Sequence, residues 1–143
     1  FYEAITPRGY IGWGKSTQLG YSLGLAMGAK MAEPSKLSVN VMGDYAFGMV
    51  GMDLETTVRE NLPILTVILN NSYMAIYGPN DFPTANHKYG TKHLTGNYSA
   101  IAEGMGSYVE KIDNPNEIRS ALARASKVVK TGKPALLPSC LAD

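Results

Sequence analysis

One cysteine, Cys140, stands among 143 residues, so no intrachain disulfide can form and the usage fits a reducing cytoplasm. Neither sign of charge is in excess. Thirteen Lys and Arg against twelve Asp and Glu leave a formal net charge of +1, too little for a basic nucleic-acid field or a polybasic membrane patch. No apolar run reaches bilayer length, no signal-peptide pattern opens the chain, and there is no internal repeat or low-complexity tract. What remains is 45% hydrophobic with 15 glycines, the composition of a globular α/β domain rich in tight turns. The length suits one domain, residues 1–143, with a single substantial core. The first residue is Phe1 rather than methionine, so we expect a fragment or a processed piece of something longer.

Hydrophobic periodicity divides the chain into alternating strands and helices. Residues 1–15 read as loop, with at most a short strand near Tyr10 and Ile11. From Ser16 to Ala32 the residues Leu19, Leu23, Met27 and Met31 recur at helical spacing, beside a stripe of Gly20, Gly24 and Gly28. Leu37 to Met42 is a short apolar run, read as a buried strand. Met52 to Asn61 reads as a helix stopped by Asn-Leu-Pro. Ile64 to Leu69, ILTVIL, is apolar throughout, as in a strand covered on both faces of a parallel sheet. Ser72 to Asn97 has little regular pattern and reads as a long loop, functional or mobile. A helix over Tyr98–Gly104 and a strand over Tyr108–Ile112 follow. Asn114, Pro115 and Glu117 then open a helix that runs to about Lys130, before a last strand at Ala135–Leu137. The alternation predicts a three-layer α/β/α fold with a mainly parallel central sheet.

Gly9 to Ser16, GYIGWGKS, fits the phosphate-loop pattern G-x-x-x-x-G-K-[ST] at every defined position. That loop binds nucleotide because it follows a buried strand and opens a helix, so that its amides converge on phosphate. Here the preceding residues are FYEAITPR, with proline and arginine where apolar strand residues should stand. Tyr10, Ile11 and Trp13 add bulk where the backbone must approach the ligand. A chance match in a glycine-rich turn is the better reading, and a phosphate-loop nucleotidase is kept as the rival.

A longer constellation has better support. If the strands ending at Met42 and Leu69 are parallel neighbours, their carboxyl ends lie about 5 Å apart. Asp44 and Asn71 then sit just beyond them, where open α/β sheets bind ligands. One carboxylate, one amide oxygen and nearby carbonyls suit Mg2+, which takes few protein carboxylates and completes its shell with phosphate and water. The same residues also suit a plain helix cap at Asp44 and a turn at Asn70-Asn71.

The run GDYAFGMVGMDLETTVRENLPILTVILNN, Gly43 to Asn71, resembles the magnesium and diphosphate motif of thiamine-diphosphate enzymes, most nearly the acetolactate synthase and pyruvate oxidase group. Leu19-Gly20 opening a helix, NYSAIAEGMG at Asn97–Gly106 and the ending KPALLPSCLAD are similar to further segments of that family's C-terminal diphosphate-binding domain, in the same order. The resemblance implies the thiamine-diphosphate-binding fold, with Asp44 and Asn71 holding Mg2+ through side chains and Tyr73 through its carbonyl. It implies that Gly43 and the amides around Tyr45 and Ala46 meet the diphosphate, and that Leu19, followed by Gly20, is the wedge beneath the thiazolium. Met74 and Tyr77 would face the substrate. His87 and His93 are read as solvated or structural loop residues rather than acid–base groups.

Two positions depart from the family. Tyr45 stands where glycine or another small residue is expected, and Met52-Asp53 where a glutamate is common. A tyrosine there could crowd the diphosphate and leave a degenerate, non-catalytic module, or turn away on a negative φ. The family's catalytic glutamate, which activates the aminopyrimidine, comes from a separate pyrimidine-binding domain, in cis or in trans. The catalytic residues within this chain are therefore unknown, and the isolated chain is expected to be inactive. The resemblance implies a cytoplasmic enzyme acting on a 2-oxo acid by decarboxylation or carboligation, as a homodimer or tetramer.

Overall fold

The computed structural model describes residues 3–12, 18–74 and 80–140. Its centre is a four-stranded, all-parallel sheet in the order β1-β2-β4-β3, with β1 at Ser38–Gly43, β2 at Ile64–Asn70, β3 at Tyr108–Val109 and β4 at Ala135–Cys140. Helices lie on both faces, as the alternating pattern predicts. On one face α1 (Tyr21–Ala32), α2 (Asp44–Val50) and α5 (Tyr98–Gly104) close over Leu23, Phe47, Leu54, Ile64, Ile68 and Leu136. On the other, α6 (Ile118–Lys130) lays Ala121, Ala125 and Val129 on Leu65, Ala135 and Leu137. The three α6 residues recur every four positions, and the small side chains let the helix approach the sheet closely.

Strands β1 and β2 are parallel neighbours, in register Val41↔Val67 and Gly43↔Leu69. The predicted βαβ unit is therefore present, and it brings residues 44 and 70–71 to one edge of the sheet. Its crossover differs from the expectation of a single helix over Met52–Asn61. Helix α2 begins at Asp44 itself, a 3-10 turn covers Gly51–Asp53, and α3 spans only Leu54–Arg59. Gly48 and Gly51 mask the first helix in the sequence, yet burial of Ala46 and Phe47 holds it. A Cβ at Gly51 would fall 2.7 Å from the Phe47 ring, so close packing selects glycine there.

Three other boundaries move. Helix α1 starts at Tyr21 rather than Ser16, with Gly20 as its N-cap at φ +90°. The loop over Ser72–Asn97 contains α4, Pro83–Tyr89, which has proline in its first turn and Gly90 in the left-handed conformation after its last. Strand β4 runs on through Pro138 to Cys140. Pro138 accepts from the Ile112 N–H at 2.9 Å, beyond the end of the short β3, where the ladder tolerates a residue with no N–H to give. The predicted strand over Tyr108–Ile112 is correspondingly β3 plus an isolated bridge, Ile112↔Ser139.

One buried pair is imperfect. Asn40 and Thr66 stand opposite each other in register, and the Asn40 Oδ1 and the fully buried Thr66 Oγ1 have no hydrogen-bond partner. Replacing the hydroxyl with a methyl of similar shape removes a desolvated donor, so Thr66→Val is expected to raise stability by about 1 kcal/mol. A urea midpoint that falls at unchanged slope would contradict this.

Candidate functional site

The site is built where β1 and β2 end side by side. Gly43 is extended, at φ −79° and ψ 165°, and passes the chain straight into α2. Asp44 opens that helix and is 3% exposed. Its Oδ1 accepts from the Tyr45 N–H at 2.8 Å, and its Oδ2 from the Ser72 N–H at 2.7 Å. The second of these bonds crosses from the end of β1 to the end of β2. The carboxylate is thereby fixed in orientation by two backbone amides, and each oxygen keeps acceptor capacity for a cation.

Beyond β2 the chain makes a tight turn. The Asn70 Oδ1 accepts from the Ser72 N–H at 3.1 Å, and the Asn71 Oδ1 accepts from the Tyr73 N–H at 3.1 Å. Ser72 takes φ +56°, which allows its amide to point at Asp44. The reading of Asn70-Asn71 as a turn is realised, and Asp44 stands in the first turn of α2 and accepts from the Tyr45 amide.

A second segment lies over this turn. Tyr73 bridges His93 in antiparallel fashion, the Met74 N–H donates to the Lys92 carbonyl at 2.9 Å, and the Leu94 N–H donates to the Ser72 carbonyl at 3.0 Å. The Tyr73 and His93 rings meet edge to face, 5.3 Å between centroids, which gives His93 a packing role. Lys92 is 2% exposed. The sequence offered no signal for this pairing, because the two partners lie some twenty residues apart in an irregular stretch.

Tyr45 has a defined partner. It lies within α2, is not among the residues with positive φ, and donates its hydroxyl to the Thr91 carbonyl at 2.7 Å. An added Cβ at Gly43 would meet no atom within 4 Å, so open space borders the backbone beside Asp44. Ala46 faces inward, beneath α1, and is buried. Leu19 packs against the core cluster as a half-buried side chain, and Gly20 is pressed against Val50 and the Ala46 carbonyl. Met74 is half-buried. Tyr77 lies outside the described residues.

Tyr98, buried against Phe47 with ring centroids 5.4 Å apart, has its phenol pushed up from its ordinary value by burial first, then by the nearby Asp44 carboxyl. It therefore stays protonated, an apolar wall behind Asp44. A cleft of about 510 Å³ opens on the far side of Asn70, towards Glu103, Lys111 and Cys140, and does not include Asp44 or Asn71. Burial pushes the Cys140 thiol up, so it is a poor nucleophile.

The phosphate-loop reading finds no support. Residues 3–12 contain no strand, which that motif requires ahead of its first glycine, and Gly14, Lys15 and Ser16 lie outside the described residues. Among the described residues no helix is long and apolar enough to cross a membrane.

Residues 1–138 match the family described as thiamine pyrophosphate enzyme, C-terminal TPP binding domain. Similar curated proteins include a 2-hydroxyacyl-CoA lyase of Oryza sativa subsp. japonica, 31% identical over 92% of this chain and 23% of its own length. The acetolactate synthase isozyme 3 large subunit of Escherichia coli (strain K12) is 29% identical over 93% of this chain and 24% of its own. The mitochondrial acetolactate synthase catalytic subunit of Aspergillus candidus is 30% identical over 92% and 19%. The chain thus spans about a quarter or less of the length of these relatives. It belongs to the thiamine pyrophosphate enzyme family, as a cofactor-binding C-terminal domain.

Proposed function

From that membership we propose that this chain holds the diphosphate of thiamine diphosphate through Mg2+, as part of an enzyme that decarboxylates or ligates 2-oxo acids. The observation that carries the reading is the Ser72 N–H bond to Asp44 Oδ2 at 2.7 Å, which ties the two strand ends into one oxygen-lined corner. Asp44 and the Asn71 amide oxygen supply a hard, mostly neutral donor set, with the Tyr73 carbonyl as third protein ligand. Such a set suits Mg2+ that also takes phosphate oxygens. The open space beside Gly43 supports close approach of the diphosphate to the amides of Tyr45 and Ala46.

When bound, thiamine diphosphate supplies the carbanion chemistry next to the substrate carbonyl, and the protein supplies orientation and electrostatics. Asp44 is held in orientation for the cation by two amide bonds. Leu19 and Gly20, at the start of α1, support the thiazolium side, and Met74 and Tyr77 bound the substrate. The activating glutamate comes from a pyrimidine-binding domain in cis or in trans, within a homodimer or tetramer. The defined Thr91 partner of the Tyr45 hydroxyl supports this reading over a degenerate module. The lone, buried-leaning Cys140 is consistent with a cytoplasmic setting.

Lys15→Ala separates this reading from the nucleotide rival. Thiamine-diphosphate affinity in the presence of magnesium is expected to change less than about twofold, below half a kcal/mol. Tight ATP binding that Lys15→Ala abolishes would favour the phosphate loop instead.

A further inference from the structure

Tyr45 is the position where this chain departs most from a small-residue motif, and its hydroxyl has a defined partner 46 residues away. It donates to the Thr91 carbonyl at 2.7 Å. Thr91 begins the segment that lies along Ser72–Met74, joined by Met74 N–H to Lys92 O at 2.9 Å and by Leu94 N–H to Ser72 O at 3.0 Å. The Tyr73 and His93 rings close the opposite side of that pairing. Residues 72–74 in turn carry the Ser72 amide that orients Asp44 Oδ2, and the Tyr73 amide that orients Asn71 Oδ1.

We infer that Thr91–Leu94 is a clasp over the metal-donor turn, and that Tyr45 is its latch: a positioning residue for the Mg2+ donors. The inference rests on the magnesium reading above for its functional half. Physically, Ser72 sits at φ +56°, a conformation that a serine holds only when its surroundings enforce it. The enforcing contacts are the Asp44 bond on one side and the clasp on the other. The clasp is anchored to α2 by the Tyr45 hydroxyl, so both strand ends and the covering segment form one hydrogen-bonded ring. A small residue at 45 would remove this tie between the segment and α2. The tyrosine is therefore an added strut rather than an obstruction.

The test compares the protein carrying this domain with its Tyr45→Phe variant, which keeps the ring and removes only the donor. Amide hydrogen exchange, measured without cofactor, is expected to speed up about three- to fivefold at Met74 and Leu94. That is the size set by one lost hydrogen bond. Exchange in α6 and β4 should not move, which excludes general destabilisation. The half-saturating magnesium concentration for cofactor binding should rise by a similar factor, while thiamine-diphosphate affinity at saturating magnesium changes less than about twofold. Unchanged exchange at Met74 and Leu94 overturns the clasp. Faster exchange with an unchanged magnesium requirement overturns the positioning role. Asp44→Ala run in parallel keeps the two readings apart. If it leaves magnesium dependence intact, the metal reading fails whatever Tyr45→Phe does; if it abolishes that dependence while Tyr45→Phe does nothing, only the latch fails.

Discussion

Asp44→Ala is expected to lower magnesium-dependent thiamine-diphosphate affinity by roughly a hundredfold or more. Outer groups that merely orient a metal's ligands cost 10- to 100-fold when removed, and Asp44 is proposed as a direct ligand. It is also the only carboxylate in the proposed donor set, so the cation loses its one formal counter-charge from the protein. The substitution has a structural cost too, because the Tyr45 amide loses its acceptor, at about 1–3 kcal/mol if it finds no water, while the Ser72 amide keeps only Asn70 Oδ1. Asp44→Asn separates the two effects. It keeps the side-chain shape and one acceptor oxygen, so the fold should be retained more fully while the charge is lost. The accompanying check is a denaturation curve on each variant. Unaltered cofactor affinity in a folded Asp44→Ala protein would remove Asp44 from the metal site.

Gly20→Ala is expected to destabilise the fold by about 2–4 kcal/mol. Two independent penalties add. At φ +90° an alanine is strained in its own backbone. Its Cβ would also stand 2.8 Å from Val50 Cγ1 and 3.0 Å from the Ala46 carbonyl oxygen. The valine could rotate; the carbonyl belongs to α2 and cannot yield without moving the helix that begins at Asp44. Loss of stability should therefore be accompanied by weaker cofactor binding under conditions where the variant is still folded. Urea unfolding with an unchanged slope measures the first part. A loss below about half a kcal/mol would mean that α1 docks more loosely than the contacts at Gly20 require.

The legible part of the fold was the part dictated by burial. ILTVIL could only be a strand covered on both faces, and the apolar run before Gly43 made its parallel partner. That pairing alone places Asp44 beside Asn70 and Asn71. Helix α2 was hidden because glycines at 48 and 51 lower its intrinsic propensity, while the tertiary packing of Ala46 and Phe47 that overrides this is not a local signal. Strand β4 was cut short at Pro138 because the proline rule is statistical, whereas the exemption depends on where β3 stops. The clasp was invisible for another reason. Two short irregular segments pair through backbone groups, which every residue possesses, so no side-chain pattern announces it. Only Tyr45 hinted at it, as an apparent fault in a motif.

The opening phosphate-loop match carries the same lesson in reverse. Its residue types are right, but a motif acts through the elements that flank it, and residues 3–12 supply no strand. The corner proposed for the diphosphate follows a parallel strand and opens a helix, and the Tyr45 hydroxyl has a partner in Thr91.

The central claim is that the corner formed by Asp44, Asn71 and Tyr73 binds diphosphate through Mg2+. Calorimetric titration of thiamine diphosphate into the protein carrying this domain, joined to its pyrimidine-binding partner, tests it most directly. Saturable binding in magnesium that disappears in chelator, and disappears again in Asp44→Ala, is the result expected. Binding of equal strength in chelator and in magnesium, or none in either, would contradict it.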